Sequence, residues 1–342
     1  MIPFPASRLL LAALPAVVLA QAPQQLRHVE RVEVARVIVD ARVVNGEGSP
    51  LVGLTSEDFR VLIDGKPARL ESVRWMAEGS PEPDLSRRVA SQAVEPAAEP
   101  AGRSIVFLFQ KDFEESRIVG LMAMLDEASA LLDHLSPEDR VAIFSFDYHL
   151  KLWTDFTEDR ERARRVLEQS ILFGDPPPPE GSPSPALAVR FDPEEGRRAA
   201  TIERALLLIG RSLEPLPGAK SLLFFGWGFG NLSGSRIFVD EDYGAACRVL
   251  AAARTAVFSL DVTRADYHTL EAGLQDVAEA TGGFYAKTHL FPKLAIRRLE
   301  GALAGYYLLS VEKPELPAGS HRIKVELTRA RGAVLARSSY AD

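Results

Sequence analysis

Four apolar runs decide what this chain can become. Ile105–Phe109, Val141–Phe146, Ser221–Phe225 and Ala256–Leu260 lack the polar–apolar alternation of a strand with one wet face. Runs of this kind belong to strands buried on both sides, which is the condition of a parallel sheet covered by helices. The segments between them carry helical spacing. Ile118, Leu121, Met122, Leu125, Ala128, Leu131 and Leu132 recur on one helix face. Further helices are expected over Glu195–Arg211, Tyr243–Arg254, Thr269–Ala280 and Pro292–Leu303, the third of these stopped by Gly282-Gly283. Thr157 is expected to cap another, with Glu158 and Asp159 in its first turn. Leu150–Trp153 and Phe284-Tyr285 read as short strands. The alternation over residues 104–304 predicts an α/β domain with an open, doubly wound, mostly parallel sheet.

The flanks are β-patterned. Val32–Val44, Asp58–Ile63 and Leu70–Trp75 are strand candidates, with turns at Asn45–Gly48 and Asp64-Gly65. After the α/β region come Tyr306–Val311, His321–Leu327 and Val334–Ser338, with a turn at Pro314–Gly319. Neither flank has enough strands to be stable alone. Residues 27–76 and 305–342 are therefore expected to combine into one small β-sandwich, with the α/β domain inserted between them. Residues 77–103, rich in Pro, Ala, Glu and Ser, read as a linker, and Gly174–Pro185 as a surface insertion.

Residues 1–20 read as a signal peptide. Arg8 precedes the apolar run Leu9–Ala20, and Val18-Leu19-Ala20 fits a small-residue cleavage site. This predicts a secreted or periplasmic protein cleaved after Ala20. No segment is long enough to span a bilayer. The net charge of −7 comes without a Lys/Arg stripe, so nucleic acid is not an expected partner. The single cysteine, Cys247, precludes an intramolecular disulfide. Its small-residue helical surroundings predict a buried, inert thiol.

Two stretches carry a family resemblance. They are Ser136-Pro137-Glu138-Asp139-Arg140-Val141-Ala142-Ile143-Phe144-Ser145-Phe146 and Trp153-Thr154-Asp155-Phe156-Thr157-Glu158-Asp159. Both resemble the von Willebrand factor A (VWA) domain. Val52–Val61, Asp64-Gly65, Tyr306–Leu309 and Arg322–Val325 extend the likeness to secreted bacterial VWFA-related proteins. The resemblance implies a binding module. In most VWA domains three loops at the carboxyl edge of the sheet hold a divalent metal, through Asp-x-Ser-x-Ser, a Thr and an Asp, and a ligand carboxylate completes the coordination. Here the first-loop positions read Gln110, Asp112 and Glu114, and the third-loop Asp position is Trp227. Only the Thr is kept, as Thr201. Two readings of the acidic residues stand. Asp112, Glu114 and Glu115 form a rearranged Mg²⁺ or Mn²⁺ site with Thr201, or they are the solvated acidic start of the next helix, where the helix dipole favours them.

Gly226-Trp227-Gly228-Phe229-Gly230-Asn231 fails the dinucleotide spacing, because Asn231 stands where the last glycine belongs. It either presents Trp227, Phe229 and Asn231 to a ligand or folds both rings back over the lost metal position. The six histidines share no metal-ligand spacing, and Asp261 and Asp147 read as caps of the turns that follow their strands. No nucleophile–base pair or G-x-S-x-G elbow is present. The function expected is a non-enzymatic, extracytoplasmic protein-binding module, with an unidentified protein ligand and no cofactor. A metal-dependent adhesion module and a cell-envelope hydrolase are the alternatives.

Overall fold

The N-terminal flank begins a sheet that the C-terminal flank completes. The computed structural model describes residues 36–77, 102–177, 187–233 and 236–341. All lie within the second of the chain's two compact units, Ala35–Asp342. The signal-peptide residues and most of the expected linker lie outside the described residues. The first strands are β1 (Arg36–Val44), β2 (Phe59–Ile63), β3 (Lys66–Ala68) and β4 (Leu70–Ala77). Asp64 and Gly65 both have positive φ between β2 and β3, the geometry of a tight hairpin turn.

The α/β region then runs β5 (Ser104–Gln110), α1 (Glu115–Leu131), β6 (Arg140–Phe146), β7 (Leu150–Thr157), α2 (Arg160–Arg165), α3 (Pro193–Arg197), α4 (Ile202–Leu213) and β8 (Lys220–Gly226). A small hairpin, β9 (Asn231–Ser233) and β10 (Arg236–Phe238), follows, then α5 (Asp242–Ala252), β11 (Thr255–Asp261), α6 (Glu271–Thr281), β12 (Tyr285–Lys287) and α7 (Pro292–Leu303). The chain closes with β13 (Gly305–Glu312), β14 (Ser320–Leu327), β15 (Ala333–Ala336) and β16 (Ser339–Ala341).

The central sheet has the order β12-β11-β8-β5-β6-β7. All its pairings are parallel except that of the edge strand β7 with β6. This matches the doubly wound fold expected. Every residue of β5, β6, β8 and β11 is buried. Side chains alternate across the pleat. Ile105, Phe107 and Phe109 pack with Leu121, Met124 and Leu299 of α1 and α7, while Val106 and Leu108 pack with Leu206, Leu250 and Leu274 of α4, α5 and α6.

Two helix boundaries differ from expectation. The segment expected as one helix over Glu195–Arg211 is two. Asp192 caps α3 by accepting from the Glu194 amide, and Thr201 caps α4 by accepting from the Arg204 amide. Thr157 ends β7, and the cap of α2 is Asp159, which accepts from the Arg162 amide.

The flanks interleave. One sheet has the order β15-β1-β13-β4 and the other β16-β14-β2-β3, so each draws strands from both ends of the chain. Val39, Val61, Tyr307, Leu309 and Ile323 share the core between them. The Tyr307 hydroxyl, inside that core, donates to the Leu51 carbonyl at 2.8 Å and accepts from the Leu54 amide at 2.9 Å. An Arg254–Asp40 ion pair at 2.5 Å fastens the α/β part to β1. Among the described residues no helix is long and apolar enough to cross a membrane.

Candidate functional site

Strands β5, β6, β8 and β11 all end at one edge of the sheet, where α/β folds bind ligands. Gln110 occupies the centre of that edge and is buried. Its Oε1 accepts from the Trp227 amide at 2.9 Å and the Gly228 amide at 3.3 Å, and its Nε2 donates to the Gly228 carbonyl at 3.0 Å. One side chain thus clasps the β8 loop from both polarities. A carboxylate here has no N–H for the Gly228 carbonyl. Glycine is required at two neighbours. A Cβ on Gly226 would lie 2.8 Å from Gln110 Oε1, and Gly228 has φ 139° and lies 2.4 Å from Leu270 Cβ by the same construction.

The next residue brings a cation to the same loop. The Lys111 ammonium pairs with Asp147 at 2.9 Å and donates to the Ile171 carbonyl at 3.1 Å. Asp147, expected as a turn cap, holds this lysine and receives Lys151 at 3.5 Å.

The residues expected to form a rearranged metal site are not brought together. Asp112 accepts from the Glu114 amide at 2.8 Å and pairs with Arg117. Glu114 accepts from the Ser116 hydroxyl at 2.9 Å and lies 3.4 Å from Arg117. Thr201 acts as the α4 cap and lines a cavity of about 80 Å³ with Gln110, Lys111, Glu203, Trp227 and Gly228, whose lining does not include Asp112 or Glu114. The guanidinium of Arg117 reaches both acids.

The two rings of the glycine-rich loop part company. Phe229 is 1% exposed and packs edge-on against Phe224 and Tyr243, each with centroids 5.6 Å away. This corrects its assignment as a ligand contact, because the positive φ of Gly228 and Gly230 turns the ring into the core. Trp227 is half-buried, with the Arg117 guanidinium 3.9 Å above its ring. Asn231 opens β9, and its side chain lies outside what the structure describes. Glu203, also buried, accepts from the Gly230 amide at 2.9 Å and the Asp240 amide at 3.5 Å. Burial raises its pKa beyond what these bonds offset.

Around this closed centre the edge is rimmed by exposed rings. Phe113 and Phe173, 61% and 84% exposed, stack at 5.8 Å. Tyr148, 73% exposed, sits in the left-handed region at φ 70° after β6. Cys247 is half-buried rather than buried. Burial raises its thiol pKa, although a hydrogen bond with Tyr243 opposes that shift.

A polar cluster that sequence reasoning missed lies at the β11 end of the same edge. Asp261 does cap its turn, as expected, accepting from the Thr263 amide at 2.9 Å. Its other oxygen accepts from His268 Nε2 at 2.8 Å and the Tyr285 hydroxyl at 2.7 Å. That hydroxyl lies 3.4 Å from Glu271, which pairs with Lys287 at 2.7 Å. Burial alone would raise the Asp261 pKa, but the bonds from His268, Thr263 and Tyr285 leave it below the usual value. Burial, reinforced by the carboxylates of Asp261 and Glu271, pushes the Tyr285 hydroxyl far up. The available signal was His268 three residues before Glu271, with Asp261 at a strand end.

No family model matches the chain, and no curated protein does. Solved structures do. A von Willebrand factor type A protein from Catenulispora acidiphila shares 10% identity at a TM-score of 0.44, covering 84% of this chain and 75% of its own. An aerotolerance-related membrane protein from Bacteroides fragilis shares 17% at 0.39, covering 59% and 98%. Proximal thread matrix protein 1 from the mussel byssus, whose structure has a zinc-occupied metal-ion-dependent adhesion site, shares 11% at 0.36, covering 63% and 49%. These are likenesses only, and the doubly wound character of the α/β part rests on its own sheet order.

Proposed function

We propose that this chain is a non-enzymatic protein-binding module that works outside the cytoplasm and meets its partner at the carboxyl edge of the central sheet, without a metal between the β5 and β8 loops. The observation that carries this reading is the Gln110 clasp. The position from which a VWA metal would be held is filled by a neutral amide already bonded to three main-chain groups. A hard divalent cation needs several anionic or neutral oxygens with free lone pairs. Lys111 lines the same cavity as Gln110 and brings a positive charge to it. The exposed Phe113–Phe173 pair and Tyr148 supply the apolar contact area that a metal-free interface requires. The leader expected over residues 1–20 supports an extracytoplasmic location.

Two measurements test the reading. Calorimetric titration of metal-stripped protein with Mg²⁺ is expected to give no saturable heat that depends on Asp112, and one-site Mg²⁺ binding removed by Asp112→Ala would restore the metal-dependent adhesion reading. Immobilised mature protein is expected to retain a specific envelope protein from its source cells, and Phe113→Ser with Phe173→Ser to lose it. Retention unchanged by the double variant would move the contact away from this rim.

A further inference from the structure

The second polar cluster on the edge has a composition the first lacks. Asp261 is the last residue of β11, and His268 and Glu271 stand three apart at the turn that starts α6, so the sequence Asp-x6-His-x2-Glu faces one point. One ligand atom from each lies within 4.8 Å of the others. We infer that Asp261, His268 and Glu271 form a binding site for one Zn²⁺ ion.

The donor set selects the metal. One imidazole nitrogen and two carboxylate oxygens suit Zn²⁺, whereas Mg²⁺ and Ca²⁺ take oxygen ligands almost exclusively. Three protein ligands leave one tetrahedral position open to water or an incoming group. The fit is close. Zinc bonds of about 2.1 Å place tetrahedral ligands roughly 3.4 Å apart. The Asp261–His268 distance is now 2.8 Å, across a hydrogen bond that the ion replaces. Opening that pair by about 0.6 Å makes room.

The supports are already built. Asp261 is held at one oxygen by the Thr263 amide and at the other by the Tyr285 hydroxyl, the outer-shell donors that fix a coordinating carboxylate. The Thr263 hydroxyl is buried, at 7% residue exposure, and has no hydrogen-bond partner in the structure. It is a free donor and acceptor two residues from the first ligand. Lys287 pairs with Glu271 when no cation is bound, and the ammonium also donates to the Asp266 carbonyl. An entering Zn²⁺ takes over Glu271, and Lys287 keeps that second partner. His289 lies 3.3 Å from Asp266 and belongs to neither step.

The test is calorimetric titration of metal-stripped, untagged full chain with Zn²⁺ and with Mg²⁺, with thermal melts alongside. One equivalent of Zn²⁺ is expected to bind saturably and raise the melting temperature, with Mg²⁺ at least ten times weaker. His268→Ala and Glu271→Gln are each expected to weaken Zn²⁺ at least about tenfold and remove the melting shift. His134→Ala, outside the cluster, is expected to change neither. Folding of each variant is read from its metal-free melt. Absence of saturable Zn²⁺ binding, equal affinity for Mg²⁺, or Zn²⁺ affinity unchanged in folded His268→Ala and Glu271→Gln would overturn the assignment.

Discussion

The β5–β8 half and the β11–α6 half of the same sheet edge solve opposite problems. In the first, a neutral amide bonds to main-chain groups, and the nearby acids are drawn aside by Arg117. In the second, a buried carboxylate collects an imidazole, a phenol and an amide. Each half contains a buried acid with a displaced pKa, and the two move in opposite directions. Glu203 is raised, because burial outweighs the main-chain amides that reach it and Asp240 stands close by. Asp261 is lowered, because its donors outweigh its burial. Depth alone therefore does not set the charge of a buried acid. What matters is how many hydrogens are aimed at it.

The largest effect expected from breaking this contrast is at Gln110. Gln110→Leu leaves two buried amides and one carbonyl without a partner, at about 1–3 kcal/mol for each group left unsatisfied. A loss of about 4 kcal/mol and a melting temperature lower by roughly 10 °C are expected in a thermal scan. A loss below about 1 kcal/mol would show that the clasp is incidental. Next is Asp261→Asn, expected to cost about 2 kcal/mol at pH 7 through weakened charge-assisted bonds. The sign of its pH dependence follows from the lowered pKa. The stability Asp261 contributes is present above the unfolded carboxylate value of about 3.9 and is lost as pH falls through the lower folded value. Urea titrations below pH 4 should therefore show a shallower acid loss in the variant. The smallest effect, and of opposite sign, is at Glu203. Its raised folded pKa opposes folding at neutral pH, and that opposition lifts as pH falls from the folded value to the unfolded value of about 4.3. Glu203→Gln keeps an acceptor for the Gly230 amide and is expected to gain less than about 1 kcal/mol at pH 7, with the gain vanishing in acid. A clear loss at pH 7 would contradict the assigned direction.

Much of this architecture was legible because its cause is local. The apolar runs at Ile105–Phe109 and Ala256–Leu260 are what a doubly buried strand must be, and Gln110 at the end of the first announced an altered centre. The break between α3 and α4 was harder to read. Leu206 and Leu207 continue an apolar pattern past it, and the Thr201 cap marks where the second helix starts. The fate of Phe229 depends on positive φ at the glycines beside it, which periodicity does not encode. The Asp261 cluster needs Tyr285, contributed by a strand 24 residues later, so no local window contains it.

The interleaved sandwich sets an order of events. The strands made first are completed last. β1 lies between β13 and β15, β4 pairs only with β13, and β2 has only the short β3 until β14 exists. While the chain is growing, Val39 and Val61 therefore stay uncovered and the strand edges stay open, a standing invitation to pair with the wrong neighbour. A product that stops after α7 keeps the whole central sheet but leaves β1 and β4 unpaired. Residues 305–341 thus supply the neighbours that close β1, β2 and β4, and a chain cut before them leaves those strand edges open.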